Sequence, residues 1–198
     1  MSIFKVIWAV ATAPWVAAKA ALGCAGGIVG YIGISIYGFV TRPGDIHNLS
    51  ASVISIMKHF FPSIDFDKIT VRLGAKIIVR SGKRGMAIGR TIYLKQRTFD
   101  HCDERDMKLL MHELVHVRQY LDYGSVLPGV RSGCAYGQGF TQNWSSETNP
   151  KEVEARNFVT VNKEELLRLM SDVCTVVKRE RTSTRRANWF WLTWGTSH

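Results

Sequence analysis

Acidic residues are scarce in this sequence. Sixteen Asp and Glu stand against 26 Lys and Arg, which leaves a net charge of +10, and the first forty residues contain no carboxylate at all. The four cysteines show no CxxC or CxxH spacing, which excludes a zinc ribbon or a thioredoxin-type motif and leaves the redox compartment open. There is no internal repeat, and an apolar fraction of 46% excludes a wholly disordered chain or a polytopic transporter.

The charge surplus indicates an anionic partner, either nucleic acid or a lipid surface. Residues 181–198 form a basic, tryptophan-rich tail: five basic residues lie between Lys178 and Arg186, and three tryptophans follow between Asn188 and Trp194. This composition suits a membrane interface or nucleic acid, and the aromatic residues could also pack onto the core. Because the other end of the chain carries a second membrane-type signal, we expect membrane lipid as the partner and consider nucleic acid less favoured.

That second signal is the apolar N-terminal segment, residues 1–41. Ala20 to Val40 is an uncharged run of 21 residues, and as a helix it spans about 30 Å, one hydrocarbon core. A shorter apolar stretch, Val6 to Ala18, precedes it and contains Pro14. We expect a transmembrane or membrane-inserting segment; the alternatives are a cleaved secretory signal and a buried hydrophobic hairpin.

Residues 42–180 have the pattern of an α+β domain. A turn-rich linker around Pro43 opens the domain, and a short helix is predicted over residues 50–61. Three β-type runs follow at residues 69–73, 76–80 and 86–94. Helices are predicted from about Asp103 to Asp122, from Asn149-Pro150 onward and over residues 162–179, with a loop over residues 126–144.

The helix that begins near Asp103 carries an HExxH motif, His112-Glu113-Leu114-Val115-His116. Two histidines four residues apart lie on one helix face, so both imidazoles can reach one ion, and the glutamate between them can take a proton from a zinc-bound water. The apolar stripe of the same helix, formed by Leu110, Leu114, Val117 and Leu121, lies more than 100° from the histidines. The histidines are therefore predicted as metal ligands, with Glu113 as the catalytic base.

A zinc site of this kind needs a third protein ligand and an open position for water. The helix after Asn149 offers two glutamates. Glu152 is the third helical residue and suits a capping box with Asn149, whereas Glu154 is free of that structural role. We therefore expect Glu154 to be the third ligand, with Glu152 as the fallback.

The motif and its distant Glu154-Ala155 pair resemble the gluzincin metallopeptidases, in which a glutamate on the helix after the HExxH helix completes the zinc site. Residues 85–94 together with the HExxH helix resemble, more narrowly, a compact bacterial zincin domain found in secreted or injected toxin-like proteins, including cargo of contractile injection systems. The resemblance covers roughly residues 45–165. It implies Zn²⁺ as cofactor, a peptide substrate aligned on the edge of the strand region 86–94, and a bacterial source. Relatives often carry an acidic residue where this chain has Arg156, so Asn157 is a candidate for orienting the histidines.

These observations predict a membrane-associated zinc metallopeptidase, secreted or translocated by bacteria, that acts on a protein or peptide. Two alternatives remain open: a non-catalytic, zinc-bound module of the zincin fold that recruits a partner, and a basic protease associated with nucleic acid. The donor that stabilises the oxyanion is also left open among Tyr120, Tyr123, Arg131 and Tyr136.

Overall fold

The HExxH helix lies against a small mixed sheet and is flanked by further helices. The computed structural model describes residues 3–41, 43–76, 83–122, 134, 137 and 148–175. The helices of this part are α1 (Ile3–Thr41), α2 (Ala51–Phe60), α3 (Glu104–Asp122), α4 (Pro150–Val161) and α5 (residues 163–175). The strands are β1 (Asp45–His47), β2 (Thr70–Leu73), β3 (Gly85–Ile88) and β4 (Thr91–Leu94). The prediction of an α+β fold is confirmed for this part of the chain.

The sheet has the strand order β1-β2-β4-β3, so β3 forms one edge of it. β1 pairs with β2 and β3 with β4 in antiparallel fashion, whereas β2 and β4 are parallel. The predicted β run over residues 86–94 is in fact a hairpin, because Gly89 has a φ of +61° and reverses the chain between β3 and β4. The edge strands of the described sheet are therefore β1 and β3, and β3 is the one that lies beside α3.

The core forms where α2, α3 and α5 pack against the inner face of the sheet. The predicted stripe of α3 is confirmed, since Leu110, Leu114 and Val117 are fully buried and Leu121 packs against them. The other large, fully buried side chains of the described residues are Val53, Met57, Phe61, Val71, Ile92, Leu94, Met107, Met111 and Leu166. Burial of this many apolar side chains holds α3 rigidly, and α3 carries the motif.

Polar side chains cap the first turns of α2, α3 and α4, close to the residues at which the sequence predicted that these helices begin. Ser50 caps α2 by accepting a hydrogen bond from the Val53 backbone N–H. The Asp103 carboxylate accepts from the Arg105 N–H at the start of α3 (2.7 Å), and the Asn149 amide oxygen accepts from the Lys151 N–H at the start of α4 (2.9 Å). Each cap satisfies a backbone donor that would otherwise lack a partner.

Two disulfides connect distant parts of the chain. Cys102–Cys174 joins the segment before α3 to the last described turn of α5, and Cys24–Cys134 joins α1 to the region after α3. Cysteine spacing alone carries no information about these pairs, because the partners are 72 and 110 residues apart.

The two apolar stretches at the N-terminus form one continuous helix, α1, which Pro14 does not interrupt. In this structure α1 contains no chain reversal, so these residues form one helix and not a hairpin. One segment of α1, Ala20–Gly38, has a length of 19 residues and a mean hydropathy of 1.6, enough to cross a membrane; only 6% of it is buried. Length and composition do not separate such a span from a signal sequence.

Three predicted features lie wholly or largely outside the described residues. They are the β run over residues 76–80, the loop over residues 126–144 and the basic tail of residues 181–198.

Candidate metal centre

The two histidines of the motif converge on one point. His112 and His116 lie one turn apart on α3, and their Nε2 atoms are 3.2 Å from each other. Their rings are nearly perpendicular, with centroids 4.8 Å apart. The side chain of His116 is 9% exposed and that of His112 is 21% exposed, so both are largely shielded from water.

Glu152 of α4 completes this group. Its Oε2 atom lies 3.4 Å from His112 Nε2 and 3.7 Å from His116 Nε2. The other carboxylate oxygen lies 3.6 Å from the ammonium group of Lys83, which precedes β3. Two imidazole nitrogens and one carboxylate oxygen are thus brought within 4.8 Å of one another.

The donors fit zinc in kind and in spacing. Zinc is bound by histidine nitrogen and carboxylate oxygen at roughly 2.0–2.2 Å, and in a tetrahedral site two such ligands lie about 3.3–3.6 Å apart. The three distances between donor atoms, 3.2, 3.4 and 3.7 Å, lie in this range or just outside it.

The structure places Glu152, and not the expected Glu154, beside the two histidines. The Glu154 carboxylate points to the other side of α4, where it accepts hydrogen bonds from Gln119 (2.9 Å) and Arg118 (3.2 Å). The reason is helical phase: Glu152 lies three residues before Ala155, the fully buried residue of α4, and shares its inward face. Glu154 is about 100° away from Ala155 on the helix and is 44% exposed.

Gln119 is a functional residue that the sequence reasoning missed. Its side-chain oxygen lies 2.9 Å from His116 Nδ1, while its NH₂ group donates to Glu154 and to the Lys151 carbonyl oxygen (3.2 Å). Because both acceptors engage the NH₂ group, the amide oxygen faces the histidine and accepts a hydrogen bond from its Nδ1–H group. The Nε2 atom of His116 is thereby directed to the shared point.

The signal for Gln119 was its position three residues after His116 on the same helix. A polar side chain at that spacing can reach the histidine ring. The proposed orienting residue Asn157 is instead exposed on the outer surface of α4, so that expectation is wrong for the described structure.

Glu113 is buried beside the histidines, only 3% exposed. It fits against β3 because residue 85 is glycine: a Cβ atom at Gly85 would lie 2.5 Å from Glu113 Oε1 and 2.9 Å from its carboxyl carbon. Its other oxygen, Oε2, is buried without a hydrogen-bond partner among the described residues. A buried carboxylate oxygen without a hydrogen bond destabilises the folded protein. A substrate or solvent molecule bound at the site would supply that hydrogen bond.

Burial and charge act on these groups in opposite directions. Burial raises the pKa of Glu113, although the nearby histidines work against that rise. Burial also disfavours the charged form of Glu152, but hydrogen bonds from His112 and His116 outweigh it and hold the pKa of Glu152 well below its usual range. Glu152 is therefore an anion at neutral pH, as a metal ligand must be.

The group opens onto a cavity of about 1070 Å³. Its walls come from four elements: the cavity-facing sides of α3 and α4, the strand β3, and the middle of α1. The α1 wall consists largely of glycines with Leu22 and Tyr31. A cavity of this size takes several residues of an extended peptide or a small molecule.

A second group of donor residues, His101, Cys102 and Cys174, lies near the start of α3. Its two cysteines form a disulfide, so their sulfur atoms are not thiolate ligands in this structure. The group containing Glu152 is accordingly the candidate metal centre of the described part of the chain.

Comparison with known proteins finds one similarity. Residues 48–124 match the family model of the eCIS core domain, the core domain of extracellular contractile injection systems. The matched stretch contains β2, β3, β4 and α3, and with them His112, Glu113 and His116, whereas β1 and Glu152 lie outside it. No curated protein and no solved structure matches the chain. Over residues 48–124, then, this chain resembles a domain of bacterial injection-system proteins.

Proposed function

We propose that this chain is a zinc-dependent metallopeptidase whose ion is held by His112, His116 and Glu152. The observation that carries the proposal is the convergence of these three donors beside the buried Glu113, on the wall of a cavity large enough for a peptide. Three protein ligands with access from a cavity are typical of catalytic zinc sites, whereas structural sites are closed by four.

The roles of the side chains follow from their positions. A zinc ion bound there would polarise a carbonyl oxygen and lower the pKa of water toward neutrality. Glu113 accepts the proton of the attacking water and passes it to the leaving amine, and its burial gives it the raised pKa that suits a general base. Gln119 holds His116 in the tautomer that binds through Nε2. β3, at the edge of the sheet, can align an extended substrate by main-chain hydrogen bonds.

The match to the eCIS core domain supports a role in a bacterial injected or secreted system. Disulfides persist in oxidising environments outside the cytosol, and they stabilise a protein that acts there. The structure contains two, Cys24–Cys134 and Cys102–Cys174.

The test compares wild type with Glu113→Gln. Zinc content is measured by elemental analysis, and turnover is measured on a fluorogenic peptide library. We expect the variant to retain zinc and to lose at least about 100-fold in turnover, since general-base contributions are of that size. A wild-type protein that binds zinc but cleaves no peptide would favour the non-catalytic binding module instead.

We further propose that α1 associates with a lipid bilayer. Large apolar side chains of α1 are exposed, among them Val29 (71%) and Ile36 (59%). Vesicle co-sedimentation of the Val29→Glu and Ile36→Glu variants should show reduced binding compared with wild type, because a charge in the hydrocarbon region costs about 2.5–3.5 kcal/mol. Val161→Glu is the matched control, since Val161 is equally apolar and 81% exposed but lies on α4. Equal loss in all three variants would refute a specific role of α1.

A further inference from the structure

The walls of the cavity carry more positive than negative charge. Five basic residues line it, namely Lys83, Arg84, Arg105, Lys108 and Arg156. Among the described residues its acidic residues are Glu113 and Glu152, which serve the proposed metal centre, and the uncharged run that includes the α1 wall adds no carboxylate. A bound divalent ion would increase the positive excess further.

Three of these basic residues cluster on one side of the histidines. Arg105, Lys108 and His112 follow one another at i, i+3 and i+7 on the cavity face of α3. Arg84 lies directly before β3 and approaches the start of α3, where its guanidinium is 3.9 Å from Asp106. The patch of Arg84, Arg105 and Lys108 therefore lies between the start of the edge strand and the N-terminal half of the motif helix.

The distance of this patch from the metal centre matches a few substrate residues. Lys108 and Arg105 precede His112 by four and seven residues, or about 6 and 10 Å along α3. An extended peptide advances about 3.3 Å per residue, so the patch lies roughly two to three residues from the bond at the metal centre.

The existing partners of the patch do not block it. Lys108 pairs with Glu104 (2.9 Å) on the same helix, and the side chains are 33% and 41% exposed. The pair of Arg84 and Asp106 is longer, and the Arg84 side chain is 57% exposed. Exposed pairs contribute little net free energy, so a substrate carboxylate can compete for these cations.

We propose that the cavity selects extended peptides with acidic side chains two to three residues from the scissile bond, and that Arg105 and Lys108 determine this selection. The inference rests on the proposed peptidase function, and it names the substrate class of that same site. The edge strand β3 favours a peptide over a nucleic acid, because an edge strand can pair with another main chain.

Binding of two labelled decapeptides to zinc-loaded Glu113→Gln protein tests the proposal. One peptide alternates Glu and Ala, and the other alternates Gln and Ala. We expect the acidic peptide to bind about tenfold more tightly at low salt, with the preference shrinking as salt is raised. Introducing both Arg105→Gln and Lys108→Gln into this protein should weaken binding of the acidic peptide about 5- to 10-fold. Binding of the Gln/Ala peptide should stay unchanged.

The double variant Lys58→Gln/Lys68→Gln is the matched control for net charge, because it also removes two positive charges. Both lysines are exposed and neither lines the cavity, so their removal should leave the preference intact. Equal binding of the two peptides, or an equal loss with this control, would overturn the proposal. A competition experiment gives a further test. If a thymidine oligonucleotide displaces the labelled acidic peptide at a lower concentration than unlabelled acidic peptide does, the patch binds nucleic acid and the proposal is overturned.

The failure of this inference is distinguishable from that of the proposed function. If wild-type protein cleaves both peptides equally, only the acidic selection is wrong. If wild-type protein cleaves neither peptide nor any library member, while the zinc-loaded variant still prefers the acidic peptide, the peptidase function is wrong and the binding selection stands.

Discussion

The decisive perturbation of the metal centre is the pair of substitutions Glu152→Gln and Glu154→Gln. Both remove one negative charge from the same helix, two residues apart, and both keep side-chain size. In the structure only Glu152 lies at the histidines, with Oε2 at 3.4 and 3.7 Å from their Nε2 atoms. Glu154 instead contacts Gln119, which in turn contacts His116.

The expected magnitudes differ for these two positions. Zinc binding to a structural site of four ligands amounts to about 10–16 kcal/mol, or roughly 2.5–4 kcal/mol per ligand. Loss of the Glu152 carboxylate should therefore weaken zinc binding by about 100- to 1000-fold. Glu154 acts through an intermediate side chain, and loss of such an indirect partner of a ligand costs about 10- to 100-fold at most. Because Gln119 also donates to the Lys151 carbonyl oxygen, we expect Glu154→Gln to fall at or below the lower figure.

The assay is competition for zinc against a fluorescent chelator, with wild type, both single variants and Gln119→Leu compared at one pH. The far-ultraviolet circular dichroism of each variant establishes that it is folded. The expected order of zinc affinity is wild type, Glu154→Gln, Gln119→Leu and then Glu152→Gln. If Glu154→Gln loses more zinc affinity than Glu152→Gln, the assignment of the third ligand is refuted. If Gln119→Leu binds zinc as wild type does, the orienting role of the amide is refuted.

Two other predictions concern the surroundings of the site. Gly85→Ala should reduce peptide turnover at least about tenfold while zinc is retained, because its Cβ would meet the Glu113 carboxylate at 2.5 Å. Unchanged turnover with a fluorogenic peptide would contradict this close fit. Gly33→Ala is the matched control, since a Cβ there meets nothing within 4 Å and Gly33 does not line the cavity. Replacing both Cys102 and Cys174 by serine should lower the free energy of unfolding by about 2–4 kcal/mol in urea titrations, because the disulfide closes a loop between residues 72 apart. Stability equal to that of oxidised wild type would contradict it.

Local patterns were sufficient for the elements and for half of the site. Apolar periodicity and polar caps predicted α2, α3 and α4 close to their observed bounds, because each signal depends on residues within one or two turns. The HExxH spacing likewise brought His112 and His116 together, since one helix turn imposes that proximity on any chain.

The choice between Glu152 and Glu154 could not be made in this way. It depends on which face of α4 meets α3, and the capping argument considered α4 as if it stood alone. Ala155 lies three and four residues before the apolar residues Phe158 and Val159, so the sequence could have predicted that it faces the core. Glu152 lies three residues before Ala155 and therefore shares that face. The apolar pattern that selects Glu152 was thus present in the sequence, but only the packing of α4 against α3 shows that it determines which glutamate meets the histidines.

By itself, the sequence determined the α+β class, the motif helix with its apolar stripe, the two histidines and the scarcity of acidic residues in the N-terminal segment. Only the tertiary structure decided the third carboxylate, the role of Gln119, the disulfide pairs, and the position of the basic residues around one cavity. The physical reason is the range of the interactions. Helix periodicity and capping act over a few residues, whereas the candidate metal centre depends on side chains 36 to 40 residues apart in the chain that packing alone brings within 4 Å of one another.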